Sequence, residues 1–106
     1  DMARASTFIM NLDLSSYQSE TQPMLSHVNV GSGIDCSIKQ LTETVVDVVG
    51  YHGEIIWDTS KPDGTARKLM DVSRIESMGW KATIDLREGL QRTYEWFVEN
   101  QAILRR

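Results

Sequence analysis

Three places in this 106-residue chain carry a helix-start signature, and their positions limit what the chain can become. Ser37 is followed three residues later by Gln40, Ser73 by Glu76 and Asp85 by Glu88. In each pair a short side chain that can accept from a free backbone N–H precedes a longer one that can reach back, the reciprocal arrangement of a capping box. After Ser37, residues Ile38, Leu41, Val45 and Val48 or Val49 recur at helical spacing as far as Gly50, a residue suited to ending a helix. After Asp85, residues Leu86, Leu90, Thr93, Phe97 and Asn100 trace one face, predicting a helix to about Ala102 with Tyr94 and Trp96 flanking the stripe. The Ser73 box predicts a short helix stopping at Gly79. Ala5, Phe8, Ile9 and Leu12 predict a further helix over Asp1 to about Leu12.

Between these helices the pattern changes. His27-Val28-Asn29-Val30 alternates and is β-branched ahead of Gly31-Ser32-Gly33, which predicts a strand entering a tight glycine turn. Glu54 to Trp57 predicts a second short strand, with Leu69 to Val72 pairing beside it. Asp13 to Pro23 is rich in Ser, Gln and Glu and reads as an exposed connection. Helices alternating with short strands place the chain in the α/β class.

Composition narrows the function. With 41% hydrophobic and 25% charged residues the chain is of ordinary globular make-up and of a size for one small domain. A net charge of -4 argues against a general nucleic-acid binder, which needs a basic face. Its apolar runs are far too short for a membrane span, and no basic segment leads into an apolar one as in a secretory signal. The single cysteine, Cys36, cannot form an internal disulfide, and no second Cys or clustered His supplies a zinc ligand set, so a cytoplasmic setting is expected. Cys36 sits near a helix start, but the expectation is a small buried residue rather than an activated thiol. His27 and His52 read as structural or surface histidines, and Trp57, Trp80 and Trp96 as core and interface residues. Arg105 and Arg106 complement the C-terminal end of the last helix dipole.

The chemistry is concentrated in Ser60 to Asp71, S-K-P-D-G-T-A-R-K-L-M-D. Pro62 and Gly64 around Asp63 are turn chemistry. Lys61, Arg67 and Lys68 place three cations against that carboxylate in a chain that is acidic as a whole. Such a loop suits an anionic ligand, because phosphate oxygens accept from an Arg fork or a Lys ammonium while a carboxylate accepts from a ribose diol or a base N–H. A solvated hairpin loop has the same charge pattern. Gly31 and Gly33 ahead of a helix match neither a Walker A loop nor a full dinucleotide fingerprint, and a turn that lets strand meet helix accounts for them.

The run K-P-D-G-T-A-R-K-L-M-D resembles the K-P-D-G-T-P-R-K-L-L-D segment of the GDP-L-fucose synthase family, within the extended short-chain dehydrogenases. T-Q-P-M-L-S-H-V-N-V-G-S-G-I-D-C-S-I at Thr21 to Ile38 and T-Y-E-W-F-V-E-N-Q at Thr93 to Gln101 agree in the same order. The chain departs from the pattern at Ala66, at Met70 and through Asp13 to Glu20, and none of these removes a charged group of the loop. The resemblance implies the C-terminal part of an α/β enzyme: residues 1–31 as helix and edge strand of a Rossmann domain, and residues 32–106 as a small α/β substrate-binding lobe. It implies Asp63 and Lys68, with Arg67 as a weaker candidate, as contacts to a GDP-sugar; Lys61 and Asp71 read as loop or helix-entry charges. It implies an NADPH-dependent parent, homodimeric, that epimerises C3 and C5 of GDP-4-keto-6-deoxymannose through enolates stabilised by the 4-keto group and then reduces C4. The glycine-rich dinucleotide turn and the catalytic Ser, Tyr, Lys, Cys and His of that family have no counterpart here, so the chain is expected to be an inactive fragment. Two alternatives are another nucleotide-sugar epimerase or dehydratase of the same extended family and a free-standing interaction domain with no nucleotide ligand.

Overall fold

The computed structural model describes residues 1–104, and the two C-terminal arginines lie outside that range. The chain divides into two compact units, Asp1–Asp35 with Arg67–Thr83, and Cys36–Ala66 with Ile84 onward.

The first unit contains helices α1 (Met2–Asn11), α2 (Leu14–Glu20) and α4 (Ser73–Ser77). α1 turns Ala5 fully inward, and Ile75 of α4 meets it with no exposed surface. Trp80 closes the cluster, and Phe8, Ile9, Val28, Val30, Val72 and Ala82 pack against it. Asp1 stands at the N-cap of α1 without a capping bond of its own, and its carboxylate instead accepts from the Thr83 backbone N–H at 3.0 Å, tying the two ends of the unit.

Asp13 to Pro23 is not the irregular connection that its composition suggests. The Asp13 carboxylate accepts from the Ser16 N–H at 2.9 Å and so caps α2, and the Ser15 and Ser16 hydroxyls also donate to it. These bonds hold the Asp13 carboxyl far below its usual range, with the Ser15 hydroxyl as the main cause. The polar residues that look like a loop thus serve as the cap and exposed surface of a short helix. Tyr17 donates from its hydroxyl to the Ser26 carbonyl at 2.7 Å, which fastens α2 to the chain that follows.

Ser73 is likewise not a cap but the first helical residue. Val72 occupies the N-cap position without a side-chain bond, and Asp71 takes up the Ser73 N–H at 2.9 Å. The helix does end at Gly79, whose φ of 103° only glycine adopts readily. Trp80 N–H reaches the Ile75 carbonyl and Gly79 N–H the Glu76 carbonyl, the paired bonds of a Schellman stop that turns Trp80 back onto the core.

The strands expected at His27–Val30, Glu54–Trp57 and Leu69–Val72 do not form ladders among the described residues, where the one β-bridge is Gln22 with Leu25. Alternation orients side chains, and Val28 and Val30 do turn to the core. A ladder, however, also needs a neighbouring backbone, which local sequence cannot supply.

The second unit is built on α3 (Ile38–Val49) and α5 (Leu86–Glu99), which pack against each other. Both halves of the Ser37 box are formed: Ser37 Oγ accepts from the Gln40 N–H at 3.1 Å, and Gln40 Oε1 accepts from the Ser37 N–H at 2.9 Å. Gly50, at φ 68°, ends α3 in a second Schellman stop, with Tyr51 N–H on the Val46 carbonyl and Gly50 N–H on that of Asp47. Asp85 caps α5 through the Glu88 N–H at 2.8 Å, while the Glu88 carboxylate turns to Arg92 one helical turn later. α5 stops at Glu99, short of Ala102, and a 3-10 turn over Gln101–Ile103 follows. Val45, Val48 and Val49 face Leu90, Thr93, Tyr94 and Phe97. Trp57 and Trp96 remain half exposed, unlike Trp80. No described helix is long and apolar enough to cross a membrane.

Candidate functional site

Ser60 to Asp71 runs without helix or strand, and every side chain in it is exposed. Its entry is shaped by Asp58, which accepts from the Ser60 N–H at 3.0 Å and from its hydroxyl at 2.6 Å, the local turn that acidic side chains favour. These bonds, the hydroxyl first, lower the Asp58 carboxyl from its ordinary value. Asp63 follows in the second unit, flanked by Pro62 and Gly64, and neither Asp63 nor Lys61 makes a hydrogen bond or ion pair among the described residues.

Arg67 and Lys68 belong to the first unit, and they are treated differently there. Arg67 donates through Nε to Asp35 Oδ2 at 2.6 Å, while Lys68 has no partner among the described residues. The Asp35 carboxyl is lowered and the Arg67 guanidinium raised from their ordinary values, each mainly by this hydrogen bond. Of the three residues that the sequence suggests, Arg67 is therefore already engaged, and Lys68 and Asp63 are uncommitted. Asp35 is the residue that sequence reasoning passed over. Its one signal is its position between the Gly31 to Gly33 turn and the cap of α3, which does not announce a partner 32 residues away.

The backbone on either side of this pair is anchored. Asn29 Nδ2 donates to the Asp71 carbonyl at 3.0 Å, and Met70 and Val72 lie against the glycine turn. A Cβ placed on Gly33, itself at φ 71°, would come within 3.1 Å of Val72 Cγ2. Gly31 and Gly33 thus give closeness to apolar side chains, a packing role. Asp71 is lowered by the Ser73 backbone N–H and hydroxyl, with Arg74 adding a smaller pull. Cys36, next to Asp35, is exposed and free rather than buried, because it precedes α3 where no side of the chain is covered. His27 and His52 are both exposed.

A wide depression of about 800 Å³ lies in the second unit. Its lining includes Glu43, Tyr51, His52, Asp47 and Arg87, and the last two form an ion pair at 2.6 Å. Its arginine is therefore neutralised locally, and none of the residues singled out for an anionic ligand lines it.

No family model matches the chain. It is 54% identical over 101 residues to the GDP-L-fucose synthase of Escherichia coli strain K12, a match covering 95% of this chain and 32% of that protein. The structure of a GDP-6-OMe-4-keto-L-xylo-heptose reductase from Campylobacter jejuni matches 92% of the chain and 28% of that protein, with a TM-score of 0.76 and 38% identity. A GDP-D-glycero-L-gluco-heptose synthase from the same organism, determined in the presence of NADPH, covers 91% of the chain and 27% of its own, with a TM-score of 0.74 and 35% identity. The chain spans between 27% and 32% of the length of each. This chain is a relative of the GDP-L-fucose synthases, matches the C-terminal part of the extended short-chain dehydrogenase fold, and shares that fold with reductases of GDP-sugars.

Proposed function

We propose that this chain is the GDP-sugar grip of an NADPH-dependent GDP-L-fucose synthase, with Lys68 and Asp63 as its principal contacts and Arg67 as a supporting one. The observation that carries the reading is the state of the K-P-D-G-T-A-R-K run: exposed, with Lys68 and Asp63 uncommitted to any described residue. An ammonium without a carboxylate partner suits a phosphate oxygen, and a carboxylate without a cation suits the N–H groups of guanine or a ribose hydroxyl. The GDP-sugars named for the related proteins carry all of these groups.

In this reading residues 1–31 belong with the cofactor-binding domain of the longer enzyme and residues 32–106 with its substrate lobe. The enzyme is a cytoplasmic homodimer that converts GDP-4-keto-6-deoxymannose to GDP-L-fucose. Use of NADPH is supported by the related synthase determined in its presence. The residues of this chain do not themselves fit that cofactor, since Met70 and Val72 cover the glycine turn that would have to approach a pyrophosphate. Their part is to hold the nucleotide, and no proton or hydride transfer is assigned to them.

Calorimetric titration of the chain with GDP, with UDP as control, tests the assignment. Saturable binding of GDP in preference to UDP is expected. Equal affinity for both favours a different nucleotide-sugar enzyme, and binding of neither sinks the reading.

A further inference from the structure

Arg67 is held by one of its five N–H donors. The contact to Asp35 runs through Nε alone, and the Nη1 and Nη2 groups have no partner among the described residues. A guanidinium is a rigid fork, so fixing Nε fixes the direction of the Nη edge. That edge is the one that receives two oxygens of a phosphate side by side. The pair is well exposed, at 70% for the arginine side chain and 39% for the aspartate, so it adds little to stability.

We propose that Asp35 is a positioning residue for the diphosphate of the ligand: it holds Arg67 by Nε and leaves the Nη edge directed outward for phosphate oxygens. This rests on the assignment of GDP-sugar as ligand. Lys68, adjacent in sequence and without a partner, supplies a second positive charge to the same anion. The backbone that carries both cations is steadied by Met70 against Gly31 and by the Asn29 bond to the Asp71 carbonyl.

Simple charge counting and positioning predict opposite signs for one substitution. Removing an exposed negative charge near a diphosphate strengthens attraction by about twofold if charge alone matters. Freeing the arginine fork instead weakens GDP by about fivefold, because its rotamers must be ordered on binding. Asp35→Ala, Asp35→Asn and Arg67→Ala variants of the full chain are titrated with GDP and with guanosine, which lacks the diphosphate. Asp35→Ala is expected to weaken GDP and leave guanosine unchanged. Asp35→Asn, which keeps the acceptor for Nε, is expected to restore GDP binding. Adding Asp35→Ala to Arg67→Ala is expected to cost nothing further, since Asp35 acts through Arg67. GDP binding that is unchanged or tighter in Asp35→Ala, or equal loss for GDP and guanosine, overturns the inference. If Lys68→Ala still weakens GDP in that event, the grip itself stands. Failure of the unmodified chain to bind GDP removes both.

Discussion

Arg74, at the start of α4, donates from Nη1 to the main-chain oxygen of His27 at 2.7 Å, across 47 residues of chain, and to that of Leu25 at 3.0 Å. The segment that it holds has no ladder partner among the described residues, so these bonds replace part of what a neighbouring strand would provide. Arg74→Ala is predicted to destabilise the chain by about 1–2 kcal/mol, measured as a lower urea midpoint with little change in slope. An unchanged midpoint would mean that the packing of Val28 and Val30, with the Tyr17 and Asn29 hydrogen bonds, holds the segment without the arginine.

Ile75 is the largest fully buried side chain described. Truncation to alanine leaves a cavity between α1 and α4, and a loss of about 2–4 kcal/mol is expected, against about 1 kcal/mol for Ile75→Val. Thermal denaturation of the two variants would show the difference as a graded fall in midpoint. Equal effects would argue that the site collapses around the smaller residue.

The capping bonds at Ser37 and Asp85 each satisfy a backbone donor at a helix start. Ser37→Ala and Asp85→Ala are each predicted to cost about 1 kcal/mol, with the losses showing in the helical circular dichroism of the unfolding transition. Ser73→Ala, by contrast, is predicted to cost less than either, because Ser73 is not the cap of its helix and its hydroxyl bonds only the exposed Asp71 carboxylate.

What was legible follows from how local each signal is. α3 was readable at both ends because Ser37, Gln40 and Gly50 act within a few residues of themselves, and α5 began where Asp85 placed it. α2 was missed because Asp13 and the serines after it are the residues of a cap and of a loop alike. Ser73 misled because Asp71, two residues earlier, takes the donor that a capping serine would have taken. The strands were legible as extended chain but not as sheet, since pairing is a property of a neighbour. In the candidate site, Lys68 and Asp63 came from resemblance, while the Asp35 contact to Arg67 spans 32 residues and left no pattern to read.

Acid sensitivity has a definite sign. Asp13, Asp35, Asp58 and Asp71 are all lowered from an ordinary value of 3.8 by hydrogen bonds that exist only in the folded chain. For a lowered carboxyl the unfolded state binds protons first as pH falls, so the stabilisation is complete above that ordinary value and is lost on descending through the folded one. The thermal midpoint is therefore predicted to stay level from about pH 7 to 5 and to drop below about pH 4. Asp13→Asn should shallow that drop, and an acid profile unchanged in this variant would show that its hydroxyl bonds are not maintained in solution.

Amide chemical-shift mapping of the isotopically labelled chain with GDP tests most directly whether a nucleotide is held at Asp63, Arg67 and Lys68. Saturable shifts are predicted at residues 63–68 and at Asp35, with UDP producing smaller ones. Shifts confined to the depression lined by Glu43, Tyr51, His52 and Arg87, or no shifts at all, would contradict it.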